Sequence, residues 1–183
     1  RREREAAGRP PALRARGEGI VRSFVDRFAG PYEGPADDVV IRHDVTIGAN
    51  TSCSSLSFEY YGANPDVNPS LAGPFTLTVG SGGLFVQGAT AIDPSTAANL
   101  TLDSGADWII SHGNAGVLNL NGQVKGLNGL TKFGVGKVVL GGANSNLQGG
   151  ISLLGGVIAT SSDLNLGPVG ANPVGLNGGT LEI

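Results

Sequence analysis

Apolar residues come in short bursts along most of the chain. Val39-Val40-Ile41, Val45-Thr46-Ile47, Leu56-Ser57-Phe58, Phe75-Thr76-Leu77-Thr78-Val79, Leu84-Phe85-Val86, Leu100-Thr101-Leu102, Trp108-Ile109-Ile110 and Val117-Leu118-Asn119-Leu120 are each bounded within a few residues by Gly, Asn, Asp or Ser. Bursts of this length between turn formers predict β-strands and tight turns, and no helical spacing of apolar positions appears among them. Residues 31–183 therefore read as all-β.

The bursts also repeat. Leu77, Leu100, Leu120, Leu140, Ile158 and Leu181 each lie in a strand-like stretch, at successive separations of 23, 20, 20, 18 and 23 residues. An interval near this length predicts a right-handed parallel β-helix with one coil per step, or roughly six or seven coils between Val45 and Ile183. One coil cannot bury its apolar side alone; stacked about 4.8 Å apart, neighbouring coils bury it for one another. A β-sandwich would use strands as short, but it has no reason to space apolar positions at that interval.

Composition narrows the picture. Glycine contributes 31 residues, the charged fraction is 15%, the hydrophobic fraction is 40% and the mean hydropathy is +0.07. That excludes the charge-rich, apolar-poor makeup of disordered chains, and glycine lacks the strict period of three of collagen. Residues 1–30 differ from the rest: eight of the nine arginines lie there, with Pro10-Pro11. This segment reads as a poorly ordered charged leader, or a short helix from about Glu18, where Ile20, Phe24 and Phe28 fall at helical spacing. It holds no apolar run of the length a secretory signal or membrane span needs, and Arg1-Arg2 alone is a poor match to a twin-arginine signal. A net charge of −3 gives no electrostatic reason to expect nucleic acid as a partner. The single cysteine, Cys53, excludes an intrachain disulfide framework.

One stretch is more specific. Gly129-Leu130-Thr131-Lys132-Phe133-Gly134-Val135-Gly136-Lys137-Val138-Val139-Leu140-Gly141-Gly142-Ala143-Asn144, followed by Gly149-Gly150-Ile151 and Gly155-Gly156-Val157-Ile158, resembles the autotransporter-associated β-strand repeat, or passenger-associated transport repeat. Leu164-Asn165-Leu166-Gly167 and Leu176-Asn177-Gly178-Gly179-Thr180-Leu181 look like its continuation, so the best match covers residues 126–183. The family's aromatic-containing segment after the Ala is replaced by Asn144-Ser145-Asn146-Leu147-Gln148, which marks a diverged copy. The resemblance implies a structural or adhesive passenger segment of a bacterial cell-surface, outer-membrane or secreted protein, with the repeat assisting export and folding. It also implies a downstream outer-membrane barrel as partner. No barrel lies in this sequence and the pattern stops midway at Leu181-Glu182-Ile183, so the expectation is a fragment of a longer protein.

Candidate chemistry is thin. Gly134-Val135-Gly136-Lys137 lacks the upstream glycine and the Ser or Thr of a phosphate loop, since Thr131 and Val138 stand there, and reads as a turn. Gly80-Ser81-Gly82-Gly83 lacks the third glycine of a dinucleotide fingerprint, with Phe85 in its place, and also reads as a turn. His43-Asp44 on a strand would point to opposite faces, and His112, before Gly113, is expected to end a strand at a corner. No metal-ligand spacing and no cofactor motif is found, and no catalytic residue is assigned. The enzymatic alternative is a secreted polysaccharide lyase or hydrolase using Asp103, Asp107 and Lys125, because Asp103 and Lys125 lie 22 residues apart, about one coil. The plain reading of that pair is a surface ion pair. Trp108, Tyr60 and Tyr61 are candidates for a sugar-stacking platform, which would give the chain a carbohydrate or cell-surface ligand, although aromatics in a solenoid are more often core or cap residues.

Overall fold

The computed structural model describes residues 38–60, 68–144, 146–168, 170 and 172–183. The charged segment 1–30, its expected helix and Tyr61 lie outside them. The strands in chain order are β1 (Asp38–Ile41), β2 (Val45–Thr46), β3 (Thr51–Tyr60), β4 (Ser70–Ala72), β5 (Thr76–Gly88), β6 (Ser95–Thr96), β7 (Thr101–Ser104) and β8 (Trp108–His112). They continue as β9 (Val117–Leu120), β10 (Gln123–Lys125), β11 (Leu130–Phe133), β12 (Lys137–Leu140), β13 (Ile151–Leu153), β14 (Val157–Thr160), β15 (Val174–Leu176) and β16 (Thr180–Glu182). Every pairing between them is parallel. The chain is a parallel β-solenoid, and the seven strands of the β2-β4-β6-β9-β12-β14-β16 sheet mark about six turns.

Each full coil has three sides. One side runs β1-β3-β5-β8-β11-β13-β15 and a second is the sheet just named. The third is built from the first halves of β3 and β5, then β7 and β10, and is extended by a bridge from Gly126 to Leu147. Early coils cover two sides with one long strand, and later coils divide the same path between two strands. Gly80-Ser81-Gly82-Gly83 lies inside β5 at this transition, opposite a register shift between Cys53 and Ser55. It is a bend within a continuous ladder, not the turn the sequence suggested. Gly83 has φ +82°, and a Cβ there would come within 2.6 Å of the Ile109 carbonyl, so glycine lets the corner form without breaking the ladder.

Alternation decides what points inward. Leu56, Leu84, Ile110, Lys132 and Leu153 stack in register along one side, Leu118, Val138, Ile158 and Leu181 along the next, and Leu77, Leu102 and Val124 along the third. The apolar members of these stacks and their neighbours form one continuous core, with Lys132 buried among them. The regular leucine series expected from sequence divides among these stacks. Leu77 sits over Leu102 and not Leu100, while Leu140 meets Thr160 and Ile158 meets Val138. Corners of changing length are the cause: paired residues are 26 apart at Val45 and Leu71 but 20 apart at Leu120 and Leu140.

Asn and Asp at the corners link one coil to the next. Oδ1 of Asp44 accepts from Ser70 N at 3.0 Å, Asn50 from Thr76 N at 2.9 Å, Asn68 from Asp93 N at 2.8 Å and Asp93 from Val117 N at 2.7 Å. Corners leave backbone donors outside the ladders, and a short carboxylate or amide one coil away satisfies them.

Candidate functional site

The third side carries the residues nominated for polysaccharide chemistry. Asp103 on β7 and Lys125 on β10 are register partners, and their charged groups lie 3.2 Å apart with side chains 32% and 30% exposed. Strand alternation places Ser52 and Thr78 in the same outward row, with Thr76, Thr101 and Gln123 in a second row beside it. These rows carry hydroxyls, the Gln123 amide and the Asp103–Lys125 ion pair. An exposed pair of this kind is worth at most about 1 kcal/mol, and each partner satisfies the other's charge. Asp107 is exposed in the corner between β7 and β8. On the β5–β8 side, Val86, Gln87, Gly88, Ala89, Ser111 and Gly113 line an open cleft without a charged side chain.

His43 is exposed in a bend between β1 and β2, so strand alternation does not govern the His43-Asp44 pair. Asp44 accepts from both N and Oγ of Ser70, which makes it a link between coils. Trp108 is buried, and its Nε1 donates to the Lys125 carbonyl at 2.8 Å. A sugar platform on Trp108 is thereby ruled out, because β8 turns the indole inward. Tyr60 packs partly buried against the core. Cys53 is buried, and burial followed by the nearby Asp38 carboxylate pushes its thiol up to about 12, which leaves it protonated and unreactive near neutral pH. No group of three metal-ligating side chains occurs among the described residues.

The unusual chemistry lies in the core. Lys132 occupies the stack of Leu56, Leu84, Ile110 and Leu153 and is 0% exposed. Its Nζ donates to the carbonyls of Gly134 at 2.8 Å and Gly155 at 2.9 Å, joining the corner of its own coil to that of the next. Burial lowers its ammonium to about 8. His112 ends β8, as expected, but points inward and is also 0% exposed, the diagonal neighbour of Lys132 on the inner surface. Neither ring nitrogen reaches a partner in hydrogen-bonding geometry. Burial first, then the Lys132 charge, pushes His112 down to about 4, against smaller opposing effects of the Asn114 and His112 backbone and of Asp93. Sequence reading missed the pair, although the signal existed: alternation from Leu130 places Lys132 inside and Phe133 outside.

A second buried polar cluster closes a corner. Asn144 Oδ1 accepts from Val124 N at 2.7 Å and its Nδ2 donates to the Asn165 carbonyl at 2.6 Å, while Asn165 Nδ2 donates to the Gly142 carbonyl at 2.7 Å. Three coils are joined through two amides.

No family model matches the chain, and no solved structure matches it. Over 42 residues it is 55% identical to a glutamyl-Q tRNA(Asp) synthetase of Nocardia farcinica (strain IFM 10152), a stretch covering 23% of this chain and 14% of that protein.

Proposed function

We propose that the chain is a structural or adhesive passenger segment of an autotransporter-like bacterial surface or secreted protein, in which residues 126–183 assist export and folding. One observation carries this reading: the residues behind the repeat resemblance hold coils together. Gly129, Gly134, Gly149, Gly150 and Gly156 have positive φ, Lys132 joins successive corners, and Asn144 links three coils. A motif whose residues template the next coil suits a chain that folds as it emerges. The hydroxyl and amide rows of the third side are the surface offered to a carbohydrate or cell-surface ligand, and the downstream barrel is the export partner.

In such a protein the coils nearest the barrel leave the membrane first. Deleting residues 126–183 from the full-length protein is expected to lower surface display more than deleting 37–80. The measurement is protease-accessible passenger on intact cells, normalised to barrel. Equal losses, or a larger loss from deleting 37–80, would sink the export role.

A secreted polysaccharide-active enzyme is the second reading, favoured only by the register that brings Asp103 and Lys125 together. The synthetase likeness supports no aminoacylation reading, because 14% of that protein is too little to carry its activity. No helix among the described residues is long and apolar enough to cross a membrane.

A further inference from the structure

Two basic side chains share the interior between neighbouring coils, and no carboxylate among the described residues pairs with either. The Lys132 ammonium is held by carbonyls of two successive corners. The corner from Gly134 to Gly136 closes directly on the His112 ring: a Cβ on Gly136 would come within 2.0 Å of Nδ1. Backbone bonds seal the same place, with Gly136 N donating to the His112 carbonyl at 3.2 Å. The corner is therefore shaped for a neutral imidazole. An imidazolium needs an acceptor for each of two N–H groups; the backbone at Asn114 and His112 lies near enough to favour the proton, but neither ring nitrogen meets an acceptor in hydrogen-bonding geometry.

We propose that His112 is an acid trigger, and that its protonation opens the solenoid between the β8–β9 coil and the β11–β12 coil and frees the strands from β11 to β16. The groups that bear on the ring are few. Lys132 of β11 opposes the proton, whereas Asp93, ahead of β6, favours it while its Oδ1 is held by Val117 N at 2.7 Å. The backbone at Asn114 also favours it, and Val86 of β5 is an apolar neighbour in register. The sign follows from proton uptake. A closed ring binds its proton near 4 and an opened one near the ordinary 6.5, so the open form holds more protons between those values and gains population as pH falls. Lys132, already charged throughout that range, opposes the second cation at close quarters.

Hydrogen exchange of the whole chain at pH 7 and pH 5, corrected for intrinsic rates, tests this. Protection across residues 130–182 should fall about twentyfold, the ratio two such proton affinities give, while residues 51–88 hold theirs within about threefold. In His112→Leu the difference between the two segments should vanish. An equal acid loss in His112→Leu and wild type, or a uniform loss across both segments, would overturn the trigger. Should His112→Leu not fold, the imidazole resonances of the wild-type protein decide. His112 titrating in its ordinary range with residues 130–182 still protected refutes the proposal. Uptake near 4 that moves upward in Lys132→Met supports it.

Discussion

At the scale of single residues, glycine is required for two different reasons. Gly156 has φ +66°, and a Cβ there would meet the Gly136 carbonyl at 2.4 Å. Gly142 has no positive φ; its Cβ would lie 2.1 Å from the Gly122 carbonyl of the neighbouring coil. Both belong to the repeat stretch, yet left-handed backbone is found only at Gly156. Register between coils, which no local pattern encodes, makes Gly142 a point of close approach. Gly156→Val carries backbone strain of roughly 1–3 kcal/mol plus the contact, whereas Gly142→Val carries the contact alone. Both variants should lower the denaturation midpoint, and Gly156→Ala should remain costly because φ itself is the obstacle. A Gly156→Ala midpoint equal to wild type would contradict the backbone argument. Burial was less legible than corners. Trp108 and His112 have polar atoms that favour a surface position, and only the direction of β8 turns both inward.

At the scale of elements, strand positions were legible because β-bursts and turn formers alternate, and the parallel coil arrangement followed from their interval. The vertical partners were not, since corner length changes from coil to coil and moves Leu77 onto Leu102. Asp103 and Lys125 are an exception: 22 residues is the true coil step between β7 and β10, so the sequence placed them correctly on one side. Their mutual charge satisfaction favours a surface role. A double-mutant cycle with Asp103→Asn and Lys125→Met should give a coupling below about 1 kcal/mol that shrinks with added salt. A salt-insensitive coupling of several kcal/mol would show a pair far more shielded than its one-third exposure allows. What the elements share is the corner link by Asn or Asp. It explains why those residues recur just outside strands, a pattern that composition alone assigns to turns.

At the scale of the whole molecule, stability is a sum over coil interfaces, and two of its buried groups titrate in opposite senses above neutrality. Lys132 holds its proton to about 8 when folded, against 10.5 when free, so the unfolded chain binds more protons in that interval and stability rises with pH. Cys53 acts the other way. Its folded thiol keeps a proton to about 12, whereas the free thiol loses it near 9.0, so above that value the unfolded chain is favoured. Between pH 8 and 9 only the lysine changes much, and the gain it gives is about 1 kcal/mol. Denaturant midpoints should therefore climb from pH 8 to 9 and flatten beyond it as the thiol opposes the gain. In Lys132→Met the climb should disappear, and the loss due to the thiol should show as a decline above 9. The methionine keeps the stack of Ile110 and Leu153 filled but cannot bond the Gly134 and Gly155 carbonyls, so its midpoint should start lower at pH 8. A wild-type midpoint that falls between pH 8 and 9 would mean that the carbonyl pair holds the ammonium more tightly than burial weakens it. Lys132 would then be a stabilising clamp until pH rises through its folded value, not a charge kept in the core at a cost.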